Sequence, residues 1–150
     1  MDMKKIGTFE GYFSVYHIGR GKFSVRFEYK DYVAELSHLT VYDSMSEETM
    51  AFTAELKIND QHIGNCDNSG KGACANVRAF YGLDTFREFC SALSDCENYC
   101  FPKSNISVYD VADYLACYNN MFGYCKSIKE AEQLVDWCNQ QAEMYRLKYA

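Results

Sequence analysis

The chain has one proline, three histidines and no extended apolar run in its 150 residues. A membrane-spanning helix needs roughly 20 consecutive apolar residues, and nothing here approaches that length. The N-terminal Met1-Asp2-Met3-Lys4-Lys5-Ile6-Gly7 passes straight into alternating residues. It lacks the apolar centre, roughly 7–15 residues long, of a secretory signal. The expected location is therefore cytoplasmic, with no membrane partner. Internal repeats, low-complexity tracts and interdomain linkers are also missing, which implies one domain over residues 1–150. So is an excess of basic charge. The formal net charge is −6, the opposite of the positive footprint with which nucleic-acid binders neutralise phosphates. Nucleic acid is not the expected partner.

What is present suits an ordinary globular domain, with 48% hydrophobic and 24% charged residues. A chain of this size buries roughly 70% of its unfolded surface. In a reducing compartment the eight cysteines are free thiols by default, and free cysteine behaves as a small buried hydrophobe. Charge is unevenly distributed. Residues 1–30 carry a balance of +3, residues 31–60 of −6 and residues 61–150 of −3. Such a segment either solubilises the surface or meets a basic partner, because opposite potentials steer encounter. Within it Asp43, Glu47 and Glu48 are the candidate partner-binding residues.

The first half has the period of strands. Phe23, Val25, Phe27 and Tyr29 alternate with Ser24, Arg26 and Glu28, and Phe52, Ala54, Leu56 and Ile58 alternate with Thr53, Glu55 and Lys57. Period-two alternation places one face on a core and the other in water, as in antiparallel sheets. The stretch Thr8–Tyr16 is expected to be one strand, joined to the next through Gly19 and Gly21, with a further strand within Asp31–Asp43. The second half switches to helical spacing. Thr85-x-x-Glu88 is a capping-box pattern, Ser107-x-x-Asp110 resembles a second helix N-terminus, and Ser127-x-x-Glu130 opens a third. They predict a first helix with Phe86, Phe89, Cys90, Leu93 and Cys96 on one side and a second ending near Asn120 and Gly123. The third would carry Ile128, Ala131, Leu134, Val135, Cys138, Ala142 and Tyr145 on one stripe. Pro102 separates the first two. Strands followed by helices predict an α+β fold: an antiparallel sheet from the N-terminal half with about three helices from the C-terminal half packed on one face.

One stretch invites a chemical reading: Ile63-Gly-Asn-Cys-Asp-Asn-Ser-Gly-Lys-Gly-Ala-Cys-Ala-Asn-Val77. A Walker A loop is G-x-x-x-x-G-K-[ST] between a strand and a helix, its amides cradling phosphate and its hydroxyl holding magnesium. Here five residues separate Gly64 from Gly70, Gly72 stands where the hydroxyl belongs, and the following residues have a strand pattern. The stretch is expected to be a constrained turn between strands, with Asn68, Gly70 and Gly72 in backbone conformations costly to other residues. The alternative is a small-anion or nucleotide site, or an enzyme, built on the Gly64–Gly72 loop. Asn68, Gly70, Lys71 and Gly72 would then form an anion nest and Cys66 or Cys74 a reactive thiol.

The run Phe52–Gly72, FTAELKINDQHIGNCDNSGKG, resembles a segment of small bacteriophage and mobile-element proteins. In those, a Phe-x-Ala strand is followed by a turn, an Ile-Gly pair and an Asn-x-Gly-x-Gly tail. The resemblance implies a setting in a bacterial cytoplasm, where such accessory proteins bind and block host proteins, defence machinery among them.

Other chemistries find less support. Cys96-x₃-Cys100, with Cys90 nearby, would place thiols on one side of the first helix, but no second knuckle completes a zinc site. His62 and Cys66 share a strand face at even spacing, on the order of 13 Å apart at ~3.3 Å per residue, too far for proton transfer. His17 and His38 have no evident acidic or Cys partner. A base-stacking surface would need Tyr12, Tyr16 and Tyr42 exposed together beside Arg20, Lys22 and Arg26. The expected protein is a non-enzymatic binding module for a host protein, acting by occlusion, with no cofactor, metal or catalytic residue.

Overall fold

In the computed structural model, residues 3–150 are described. Seven strands follow one another in space as they do in sequence: β1 (Lys4–Phe9), β2 (Phe13–Gly19), β3 (Lys22–Tyr29), β4 (Tyr32–Val41), β5 (Phe52–Ile58), β6 (Gln61–Asn68) and β7 (Asn76–Ala79). Every neighbouring pair is antiparallel. Three helices follow, α1 (Leu83–Leu93), α2 (Val108–Phe122) and α3 (Ile128–Tyr149), and pack against the sheet. The α+β architecture is the one the periodicity switch implies.

Alternation decides the faces. Phe13, Val15, Phe23, Val25, Phe27, Ala34, Phe52, Ala54, Leu56 and Ile58 are buried toward the helices. Ser24, Arg26 and Glu28 on β3 and Thr53, Glu55 and Lys57 on β5 take the opposite face. That outer face pairs its own charges. Lys5 Nζ lies 3.1 Å from Glu28 Oε1 and Arg26 Nε 3.3 Å from Glu35 Oε2, while the Tyr16 hydroxyl donates to Glu28 Oε2 at 2.6 Å. The three tyrosines do not share a surface. Tyr12 packs on Phe27 and Tyr29, Tyr16 lies on the outer face under Arg26, and Tyr42 is exposed at the far end of β4.

Helix α2 is the central support, touching β3, β4, β5 and β7, while α3 lies along β1. The helix start expected at Ser107 is there, closed by a Ser107–Asp110 capping box, and Ile106 and Val111 are buried where a hydrophobic staple places them. Strands β3 and β4 pair only from Phe27/Ala34 to Tyr29/Tyr32. Beyond that seam Asn119 of α2 replaces the missing neighbour. Its Oδ1 accepts the Val25 amide at 2.9 Å, and its Nδ2 donates to the Val25 carbonyl at 3.1 Å. Unpaired backbone groups of a buried strand are costly, which is why an amide side chain stands there.

Several local expectations are corrected. Thr8–Tyr16 is two strands, broken by a turn at Glu10–Tyr12 in which Glu10 and Gly11 both have positive φ. At the next turn Gly21 alone takes positive φ, and Gly19 stays in β2. Thr85 does not cap α1. The helix begins at Leu83, three residues earlier than a Thr85 cap would start it, behind a left-handed Gly82, and the Thr85 hydroxyl donates to Gln61 Oε1 at 3.1 Å. It also ends at Leu93, so Cys96 and Cys100 lie in the following loop rather than on the helix. Ser127 caps α3 as expected, while Glu130 reaches back to the Lys126 amide at 2.7 Å instead of to Ser127. Tyr145, assigned to the buried stripe of α3, is exposed.

Candidate functional site

The acidic segment and the glycine loop, separate in the sequence, form one lobe at the end of β4, β5 and β6. A short 3-10 turn, Asp43–Met45, starts the excursion. Its base is closed by the Tyr42 amide on the Ala51 carbonyl at 2.9 Å and by Ser46 Oγ, which donates to the Tyr42 carbonyl and accepts from the Ala51 amide. The two segments meet at Gly70, whose carbonyl accepts the amides of Glu47 and Glu48 at 3.0 Å and of Thr49 at 3.4 Å. Gly70 has φ +83°, and a Cβ there would collide with the Met45 carbonyl. The position needs glycine both for its left-handed backbone and for the close approach.

Asn68 ties this lobe to the body. It is buried, and all of its side-chain polarity is used: Oδ1 accepts the Gly70 amide at 2.8 Å and the Thr49 hydroxyl at 2.9 Å. Its Nδ2 donates to the Ala73 carbonyl at 3.0 Å and to Asp113 Oδ1 at 2.9 Å. The other oxygen of Asp113, on α2, accepts the Ala75 amide at 2.8 Å. Burial pushes the Asp113 carboxyl above its ordinary value, against the opposing pull of those two hydrogen bonds. Asp67, Asn76 and the exposed Cys74 and Lys71 complete the rim.

Asp43, Glu47 and Glu48 are all exposed on this lobe, and the structure adds two residues that the charge pattern missed. Tyr42 and Met45, at 40% and 52% exposure, stand among the acids. A tyrosine ring and a flexible thioether ringed by charge are the side chains that anchor protein interfaces. Their signal was present as large apolar residues inside a polar excursion. The Asn68–Asp113 tie had no sequence signal, since 45 positions separate the pair.

The same geometry bears on the anion alternative. The Gly70 amide is held by Asn68 Oδ1 and the Gly72 amide by Thr49 Oγ1 at 3.3 Å. Two of the donors that a nest requires are thus already occupied. No helix follows the loop; β7 does, so the oriented amides of a P-loop are missing. Cys66 is buried, its thiol pushed up to about 12 by burial and by the charges of Asp67 and Asp113. A thiol so raised is not a nucleophile at neutral pH. His62 is not on its face either. A bulge between Leu56 and Lys57 pairs His62 with Lys57 on the outer face and leaves Cys66 inward. Gly64 permits that turn of the strand, because the Arg78 carbonyl of β7 occupies the place a Cβ would take. His38 does have an acidic partner, Glu55, with Nδ1 and Oε2 2.6 Å apart on the outer face.

Among the described residues no group of three or more His, Cys, Asp or Glu side chains is placed to hold a metal ion, and no helix is long and apolar enough to cross a membrane. Comparison with known proteins returns no matching family model, no similar curated protein and no similar solved structure.

Proposed function

We propose that this protein is a non-enzymatic binding module that occludes a partner protein through the Tyr42–Glu48 lobe. The observation that supports it is the lobe's construction. An acidic surface loop left to itself is mobile, and ordering it on contact opposes binding. This one is already ordered by three amides on the Gly70 carbonyl and by the Asn68–Asp113 tie. It presents Tyr42 and Met45 within a rim of Asp43, Glu47 and Glu48. The partner's surface would be basic with an apolar recess. The likeness of Phe52–Gly72 to phage and mobile-element proteins makes that partner a host protein, including a component of host defence, in a bacterial cytoplasm.

The experiment is a parallel affinity capture from bacterial lysate with the wild-type protein and the double variant Tyr42→Ala/Met45→Ala. A stoichiometric partner held by the first and lost by the second is the expected result. For that partner, Glu47→Ala/Glu48→Ala should slow association and flatten its salt dependence, with the dissociation rate changed less. Equal capture by wild type and both variants would move the interface off this lobe.

A further inference from the structure

A second feature lies at the β1–β2 end of the sheet. The turn between β1 and β2 points Glu10 inward. The residue is 8% exposed and has φ +53°, a conformation uncommon outside glycine. Its carboxylate accepts the Cys100 thiol at 2.9 Å on Oε1 and the Tyr118 hydroxyl on Oε2. Tyr118 is fixed by edge-on packing against Phe9 and Phe13, with ring centroids 4.7 and 5.1 Å away. The three groups line a recess of about 250 Å³ between α2 and α3, together with Met121, Trp137, Cys138 and Tyr145.

The charges do not balance. Among the described residues no Lys, Arg or His lies within salt-bridge distance of Glu10. The nearest guanidinium along α3, Arg146, is engaged by Glu97 at 3.1 Å and by the Tyr99 carbonyl at 3.0 Å. The neighbouring thiols supply no charge of their own: burial and Glu10 push Cys100 up to about 12 and Cys138 up to about 11. A buried carboxylate is expected to be paired, and this one has only neutral donors. Those two donors leave lone pairs free, since a carboxylate accepts about four hydrogen bonds. The rest of the lining combines the Trp137 and Tyr145 rings and the Met121 thioether with Cys138, Gln141 and Ala142, and the aromatic faces among them attract a cation electrostatically. The volume lies below the roughly 300–1,000 Å³ of pockets for drug-sized ligands, so the occupant is small.

We propose that the Glu10 recess binds a small organic ammonium ion, its positive nitrogen facing the Glu10 carboxylate and its alkyl groups against Trp137 and Tyr145. Trp137 is the sole tryptophan of the chain, so its fluorescence reports occupancy directly. The experiment titrates the protein with choline and, separately, with 3,3-dimethyl-1-butanol, which has nearly the same shape without the charge. Saturable change with choline, at least 10-fold weaker change with the alcohol, and a higher melting midpoint with choline are expected, because a ligand of the native state stabilises it. Glu10→Gln, checked for folding by circular dichroism, should bring choline down to the affinity of the alcohol. Should Glu10→Gln not fold, Trp137→Leu followed by thermal melting gives the second arm, with a choline-induced shift less than half that of the wild type. Equal response to choline and the alcohol, no saturable response to choline, or full choline affinity in the folded Glu10→Gln variant would each overturn the assignment.

Discussion

Asn68→Ala is the most informative single change in the molecule. It removes four hydrogen bonds together: from the Gly70 amide, from the Thr49 hydroxyl, to the Ala73 carbonyl and to Asp113. A neutral hydrogen bond contributes about 1 kcal/mol net, one to a charged group about 1.5–3 kcal/mol, and a buried donor left alone costs about 1–3 kcal/mol. Water reaches Thr49, Ala73 and the half-buried Asp113, so the lasting unpaired group is the buried Gly70 amide, and the lost charged hydrogen bond to Asp113, which keeps the Ala75 amide, adds to it. A loss of about 3 kcal/mol follows, equivalent to roughly 6–12 °C in melting midpoint for a domain of this size. Urea unfolding with hydrogen exchange at Gly70 measures both parts. Asn68→Asp sharpens the test by placing a second carboxylate beside Asp113 without changing shape. Two carboxylates sharing a site raise each other's pKa in the folded state. A folded pKa above the unfolded one stabilises at low pH and is lost as pH rises through it. The deficit of Asn68→Asp relative to wild type should therefore be largest at neutral pH and narrow toward pH ~4. A loss under about 1 kcal/mol for Asn68→Ala with Gly70 still protected, or a pH-independent deficit for Asn68→Asp, would refute the tie between lobe and helix.

Other outcomes follow from the same structure. Burial works against the charge of Glu28, but hydrogen bonds from Ser14, Tyr16 and Lys5 outweigh it and hold its carboxyl below the ordinary value. That contribution is present above the unfolded carboxylate range and lost as pH falls through the lowered one. Glu28→Gln should thus destabilise at pH 7 and approach wild type as pH falls below the ordinary carboxylate range, as judged by urea midpoints. Cys74 is the only exposed one of the eight free thiols. Native labelling with a thiol reagent should show one fast site that disappears in Cys74→Ser, with the half-buried Cys90 and Cys117 slower, whereas fast labelling at Cys66, Cys96, Cys100, Cys125 or Cys138 would contradict their burial. Asn119→Ala should cost about 2–3 kcal/mol and deprotect the Val25 amide in hydrogen exchange, because it leaves both ladder groups of Val25 without a partner.

The elements legible in the sequence are those whose signal is local. The two faces of β3 and β5 could be assigned because one side of each is buried, and the Ser107 box because all its bonds lie within three residues. The turn at Glu10 was hidden because aromatic residues flank it closely, Phe9 on one side and Tyr12 and Phe13 on the other, and because Glu10 is not a usual left-handed residue. The early end of α1 was hidden because Cys96 stays buried at helical spacing after the helix has stopped. There the chain is turned by Ser94, whose hydroxyl donates to the Ser91 carbonyl at 2.6 Å, and the loop closes through a bridge between Glu97 and Asn105. The bulge that separates His62 from Cys66 depends on how closely β7 approaches Gly64, which no period-two count records. For the candidate lobe, the acids and glycines were each visible. Their assembly into one surface was not, since it rests on contacts between Glu47 or Glu48 and Gly70 and between Asn68 and Asp113.

The position of α2 has a consequence during synthesis. All seven strands precede the helix that bridges β3 to β7. On a ribosome elongating at roughly 5–20 residues per second, the β-half emerges seconds before that helix is made. During that interval Phe13, Val25, Phe52 and Leu56 lack α2 to cover them, and the open side of β3 at Val25 has no Asn119. The newborn chain is then a sticky sheet with an unsealed edge, and its yield in a cell should depend on chaperone supply and on how quickly the ribosome reaches Phe122.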